Sequence, residues 1–186
     1  SAPNYESPTD SDSDNTYEVI VTVTDNTSLT DTQTITVTVA NVNEVPQVIG
    51  TSFITSISEN MDTQIAISYS DEDANSTLVY SISGTDADDF MLSNAGVLTF
   101  ASTPNYESPT DSDQNNVYTV IVTVSDGSLT ATQTITVTVT NADDAPAIIS
   151  NGGGSTASIT VNENIPTVTT VISVDDDVSS TAMYSI

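Results

Sequence analysis

The six residues PNYESP stand at positions 3–8 and again at 104–109. They head a list of echoes. Tyr17-Glu18-Val19-Ile20-Val21-Thr22-Val23 returns as Tyr118-Thr119-Val120-Ile121-Val122-Thr123-Val124, TQTITVTV at 32–39 returns at 132–139, and NVNEVP at 41–46 returns as NADDAP at 141–146. A second set ties the middle of the chain to its end: SEN at 58–60 with NEN at 162–164, DED at 71–73 with DDD at 175–177, and YSI at 80–82 with YSI at 184–186. Both sets give a repeat of roughly 100 residues, the size of one β-sandwich domain. The phase is offset. Residues 1–46 correspond to the C-terminal half of a unit with its linker, 47–146 to one complete unit with its linker, and 147–186 to the N-terminal part of a third. Residues 83–101 have no counterpart at either end. Such a chain is expected to be an excerpt of a longer array.

Within a unit the pattern has period two. Ile35, Val37 and Val39 alternate with threonines, and Tyr118, Val120, Val122 and Val124 fall on one face of an extended segment. Valine and threonine are β-branched and suit a pleated, half-buried surface. In the complete unit strands are predicted near 51–57, 64–70, 78–82, 88–92, 96–100, 117–125 and 130–140, separated by Asp, Asn, Gly, Ser and Pro clusters. No stretch has helical periodicity. The expected architecture is all-β: tandem seven-stranded Greek-key sandwiches, immunoglobulin-like in plan, with one strand face in the core and a threonine-rich face in water.

Charge narrows the chemistry. Among 186 residues there are 26 Asp plus Glu, no Lys, Arg or His, and no Cys, for a net charge of −26. No side-chain ion pair can form. Two bare carboxylates about 4 Å apart repel by about 1 kcal/mol in water and by several times that when half-buried. Clustered acids therefore call for hydration, neutral donors or an external cation. Nucleic-acid binding needs Lys or Arg, and an anionic membrane surface repels such a chain. No apolar run is long enough to span a bilayer. Zinc lacks its preferred His and Cys ligands, which leaves hard, oxygen-binding cations, calcium first. Catalysis has no His, Cys or Lys to supply a base or nucleophile, and acids that recur once per unit suit a structural repeat better than a single active site. The chain is not expected to be an enzyme.

The acids recur in order. The complete unit carries Glu59 early, Asp71 and Asp73 after the second strand, Asn105 and Glu107 in PNYE, Asp126 in a strand-end turn, and Asp143 and Asp144 before Pro146. The first part-unit has Asn4, Glu6, Asp25, Asn43 and Glu44; the last has Glu163, Asp175 and Asp177. In this order the motifs resemble the cadherin-like repeats of bacterial surface proteins such as large repetitive adhesins, and the resemblance covers the whole chain. It implies calcium at the junctions between units, held from the base of one, the linker and the top of the next. One junction would use Asn4, Glu6, Asn43, Glu44, Asp71, Asp73 and Asp126. The next would use Glu59, Asn105, Glu107, Asp143, Asp144, Asp175 and Asp177. Asp25 and Glu163 would serve flanking junctions. The chain departs from the family pattern in opening its triplet with Asn4 or Asn105 instead of Asp, and in carrying Glu44 in a linker position where Asp is usual. The resemblance also implies a cell-surface or secreted location.

Other features have plainer readings. Asp10, Asp12 and Asp14, echoed by Asp111, Asp113 and Asn115, start like an EF-hand loop, but Asn15 or Asn116 stands where its glycine belongs and Val21 or Val122 where its glutamate belongs. The alternatives are a solvated acidic loop and an additional loop site for calcium. Asn26-Thr27-Ser28 and Asn75-Ser76-Thr77 fit the glycosylation pattern, which a chain rich in Ser and Thr generates by chance. Gly152-Gly153-Gly154 has no following lysine and reads as a flexible loop, not a phosphate cradle. Tyr5 and Tyr106 are expected to anchor packing. Functionally, the first reading is a calcium-stiffened extender whose partners are calcium and neighbouring repeats of its own chain. Two others stand beside it: an adhesion module binding a surface glycan or protein, and a segment of a self-assembling filament in which the end part-units of separate copies meet.

Overall fold

A computed structural model describes residues 2–49, 54–73, 76–177 and 180–186. The strands are β1 Thr16–Thr24, β2 Thr30–Thr38, β3 Gln47–Val48, β4 Ile54–Ser58, β5 Ile65–Ala66, β6 Tyr69–Ser70, β7 Val79–Ser83, β8 Phe90–Leu92, β9 Val97–Phe100, β10 Val117–Ser125, β11 Thr130–Thr140, β12 Ala147–Ile148 and β13 Ser173–Val174. Two 3₁₀ turns, Ala87–Asp89 and Ser150–Gly152, are the helical elements among the described residues, and none is long and apolar enough to cross a membrane.

The threonine–valine alternations make the long strands, and these build the central sandwich. One layer has the order β4–β11–β10–β7, with β4 parallel to β11 and the other pairs antiparallel. The opposing layer joins β5–β9–β8 to the short β3–β6 pair. Ile67 N donates to Gly96 O (2.8 Å) and Ile49 N to Ser68 O (2.8 Å), so the segment from Ile65 to Ser70 passes from one partner to another. The stretch predicted as one strand at 64–70 is thus β5 and β6. The strand opening the unit is likewise split, β3 in one layer and β4 in the other. The predicted 51–57 strand lies partly outside the described residues. Predicted strands at 117–125 and 130–140 match β10 and β11. The chain order against the spatial order gives the Greek-key, all-β sandwich.

The core is the inner face of that period-two pattern. Tyr118, Val120, Val122, Val124, Ile135, Val137 and Val139 are buried against Ile57, Ile67, Leu98 and Phe100. Tyr118 stands edge-on to Phe100 (centroids 5.0 Å, 87°) and Phe90 (6.1 Å, 88°), geometries that aromatic quadrupoles favour. Its hydroxyl accepts from Thr110 N (3.1 Å) and so ties the preceding loop to the core. Tight closure before β9 requires Gly96, whose φ is +74° and whose added Cβ would lie 2.6 Å from Ile67 O.

The hairpin β1–β2 repeats the register of β10–β11: Thr16 faces Thr38 as Val117 faces Thr138. Its inner face is uncovered. Val19, Val21, Val23, Ile35 and Val37 are 53, 48, 65, 42 and 51% exposed, where Val120, Val122, Val124, Ile135 and Val137 are each 0% exposed. In the last segment β12 pairs with β13. The same segment leaves Ile159, Val161, Met183 and Tyr184 exposed.

The loops leading into β1 and β10 are built alike. Asn15 and Asn116 take left-handed φ (64° and 65°) and donate through Nδ2 to Tyr5 O and Tyr106 O, both at 2.9 Å. Tyr5 and Tyr106, expected to anchor packing, are 41 and 38% exposed and lie outside the buried core; the loop uses their carbonyls. Asp10 and Asp111 cap these loops by accepting from Asp14 N and Asn115 N, each at 2.8 Å. The carboxylates of Asp10, Asp12 and Asp14 approach within 4.8 Å of one another. In the complete unit, buried Asp86 adds a strut, accepting from Ser112 N (2.9 Å) and Thr119 N (2.7 Å).

Candidate metal centres

Two sets of acids converge, one on each side of the central sandwich. In the first, carboxylate oxygens of Glu6, Glu44 and Asp73 lie within 4.8 Å of one another. They come from three separated segments: the loop before β1, the linker before β3, and the turn after β6. Asp73 accepts Asn41 Nδ2 on one oxygen (2.7 Å) and Glu44 N on the other (3.0 Å), which fixes the linker against the turn. Asp71 accepts Asp73 N (2.9 Å). Asn43 reaches Asp126 through Nδ2 (2.8 Å), joining the linker to the turn after β10. Asn4 lies at the rim, 3.5 Å from Glu72, with its Oδ1 accepting Ser7 N at 2.9 Å.

In the second set Glu59, Glu107 and Asp144 approach within the same 4.8 Å. Glu59 follows β4 directly and is 1% exposed. It accepts Ala142 N (2.9 Å) and Tyr106 N (2.7 Å), fastening the end of β4 to the linker and to the loop before β10. Asp144 N donates to Asp177 (2.6 Å), and Asp177 N to Asp175 (3.1 Å). These bonds reproduce the pattern of Glu44, Asp73 and Asp71. Asn105 uses its Oδ1 on Ser108 N (2.6 Å), as Asn4 does on Ser7. Asp143 is exposed. Glu163 and Asp25 are in neither set; Asp25 closes its own turn by accepting Thr27 N and Leu29 N.

The electrostatics follow from crowding without bases. Burial, with Glu6 and Asp73 next, pushes the Glu44 carboxyl above its ordinary range. Burial and then Glu59 do the same to Glu107 and to Asp144. Asp126 goes the other way, held low by the backbone N–H groups of Leu129 and Ser128. Three carboxylate oxygens at these sets are shut from solvent and accept no hydrogen bond: Glu44 Oε2, Asp71 Oδ2 and Glu107 Oε2. A buried acceptor without a partner is costly, and hard oxygen donors of this number and type fit calcium.

Sequence reasoning missed several neighbours. Glu72 and Asp176 add charge beside Glu44 and Asp144. Asn60, in a left-handed conformation (φ 59°), donates to Asp144 (2.9 Å), and Asn141 donates to Glu107 (3.2 Å). The signal for the asparagines was present in the recurrence of SEN with NEN and of NVNE with NADD. The glycosylation candidate Asn75 lies outside the described residues.

No family model matches the chain, and no curated protein matches it. Solved structures do. The chain resembles Drosophila N-cadherin EC1-4 (21% identity, 74% of this chain, 34% of that one, TM-score 0.52). It also resembles mouse cadherin-23 EC22-24 (20% identity, 73% and 45% covered, TM-score 0.52) and extracellular cadherin domains 1-4 of protocadherin gamma B7 (19% identity, 91% and 43% covered, TM-score 0.56). The chain spans between a third and a half of the length of these proteins. At such identities the likeness is one of fold: the central unit is a cadherin-like β-sandwich.

Proposed function

We propose that this chain is a length of calcium-stiffened extender from a secreted or cell-surface, adhesin-like protein, and that it is structural, not catalytic. One observation carries the reading. Twice, three separated segments bring carboxylates together in a chain with no basic residue, and buried carboxylate oxygens there lack any donor. Glu6, Asn43, Glu44, Asp71, Asp73 and Asp126 would hold calcium at the first junction. Glu59, Glu107, Asp143, Asp144, Asp175 and Asp177 would hold it at the second, with Asn4 and Asn105 at the rims. The bound ion supplies positive charge that offsets repulsion among the acids. The chain's own part is to gather ligands from both sides of each linker, so that occupancy fixes the relative orientation of neighbouring units.

The test is a calcium titration of the metal-stripped chain, followed by calorimetry and small-angle scattering. Saturable binding with a longer, stiffer particle, reversed by chelator, is the expected result. Asp71→Ala with Asp73→Ala should remove the part of the heat that belongs to the first junction. A scattering profile indifferent to calcium would mean that the acids are a solvated surface, and would sink the proposal.

Acid should reveal the same crowding. In the calcium-free chain Glu44, Glu107 and Asp144 keep protons to higher pH when folded than when unfolded. The stabilisation from this is complete below the unfolded carboxylate pKa and is lost as pH rises through the raised folded values. Calcium removal is therefore expected to lower the denaturation midpoint more at neutral pH than in mild acid. Equal losses at both would contradict it.

A further inference from the structure

Two asparagines at the second junction belong to neither ligand set, yet each holds one of its acids. We infer that Asn60 and Asn141 are the positioning residues of that junction: each fixes one oxygen of a carboxylate with its amide and leaves the other oxygen for the cation. The inference rests on the calcium reading and extends it from the ligands to the groups that orient them. Asn60 donates through Nδ2 to Asp144 Oδ1 (2.9 Å), and Asn141 through Nδ2 to Glu107 Oε1 (3.2 Å). The direction of these bonds is fixed, because an ionised carboxylate only accepts and so must face the NH₂ group of the amide. Both acids belong to the converging set that Glu59 completes. On Glu107 the division between the two oxygens is plain: Oε1 takes the amide, while Oε2 is shut from solvent and accepts no hydrogen bond.

The backbone explains why asparagine stands at 60. It follows buried Glu59 with φ 59°, a left-handed conformation in which asparagine is several-fold enriched. Its N–H donates to Pro104 O (3.0 Å). Glu59 and Asn60, side by side, thus reach the loop before β10 through Tyr106 N and Pro104 O, and the linker through Ala142 N and Asp144. The arrangement recurs. Asn164, the counterpart of Asn60 one repeat on, has φ 65°, and Asn41, the counterpart of Asn141 one repeat back, donates to Asp73 at the first junction (2.7 Å). Charge explains why the donor is an amide. An ammonium group at either place would also hold the acid, but it would repel the cation. A neutral amide orients the carboxylate and leaves its full charge to the ion, and partners of this kind around metal ligands are worth about 10- to 100-fold in affinity. In a chain without Lys, Arg or His, asparagine supplies that donor.

The experiment is a calorimetric calcium titration of the full, metal-stripped chain carrying Asp71→Ala with Asp73→Ala, which leaves the second junction to report alone. Asn60→Gly keeps the left-handed backbone and deletes one amide; Asn141→Ala deletes the other. Each is expected to weaken binding about 10-fold, and the two together about 100-fold. Terbium at the same centre gives a readout that a loss of stability would not move. Its luminescence lifetimes in H₂O and D₂O count the waters on the ion. A carboxylate that swings away is replaced by water, so the count should rise in both variants. Urea midpoints in chelator should stay near the parent's, since glycine adopts the same φ without strain. Unchanged affinity and water count in both variants would overturn the inference and leave the extender reading standing. Weaker binding with an unchanged water count and a lower midpoint in chelator would also overturn it, by assigning the asparagines to the fold alone. A parent that binds neither calcium nor terbium would sink the extender reading at this junction, and the inference with it.

Discussion

Glu59→Ala is expected to lower the stability of the central sandwich by roughly 2–4 kcal/mol even without calcium, and to abolish the calcium response of the second junction. Two backbone donors, Ala142 N and Tyr106 N, share this one buried carboxylate. Truncation leaves both without an acceptor, at about 1–3 kcal/mol for each that stays dry. Relief of repulsion from Glu107 and Asp144 works in the opposite direction, but at separations near 4 Å it is about 1 kcal/mol where water screens it, so the loss of hydrogen bonds wins. Glu59→Gln separates the two effects. Its carboxamide has a single oxygen, so one donor keeps its partner while the other meets an NH₂ group; stability should fall between the parent and the alanine variant, with calcium binding at that junction still lost. Urea titrations with and without calcium measure both. An alanine variant as stable as the parent would show that Glu59 does not fasten the linker.

The largest purely structural loss is expected at Tyr118. Truncation to alanine removes a ring packed edge-on against Phe90 and Phe100 and opens a cavity at the junction of the two layers. Aromatic-to-alanine changes in cores cost about 3–5 kcal/mol. Tyr118→Phe should cost only about 1 kcal/mol, the net worth of the hydrogen bond from Thr110 N. The phenylalanine variant has a second signature. The loop carrying Asn105 and Glu107 loses one of its ties, keeping those to Glu59 and Asp86, so calcium affinity at the second junction should weaken modestly while the sandwich stays folded. Equal denaturation midpoints for the alanine variant and the parent would contradict the packing argument, and calorimetry on the phenylalanine variant tests the tie.

The long strands were legible because their pattern is local. Valine and threonine alternate through 117–125 and 130–140, and β10 and β11 occupy those residues. The split of 64–70 was not legible: Ile65, Ile67 and Tyr69 alternate without interruption, and only the neighbours on either side decide that the ladder changes partner after Ala66. The use of Tyr5 and Tyr106 through their carbonyls was not legible, because a backbone acceptor leaves no side-chain signature. At the candidate centres the recurring acids were readable as sets; the family likeness put Asn43 and Asp126 at one junction, and the hydrogen bond between them came only from the structure. Glu72 and Asp176 were passed over because they sit between two expected positions, and their influence is one of charge at a distance.

In the proposed extender role the unit would be judged by how it carries load. The unit's first long strand, β4, and its last, β11, are parallel neighbours over five residue pairs, from Thr136 with Ile54 to Thr140 with Ser58. Tension along the chain pulls β4 by its start and β11 by its end. In a parallel pair those points lie at opposite ends of the shared ladder, so the strands are driven to slide past each other. All the bonds between them then resist together, and none can be peeled away one at a time as in an opened hairpin. The unit should yield abruptly at high force, and its weak direction is any pull that reaches the ladder from the side.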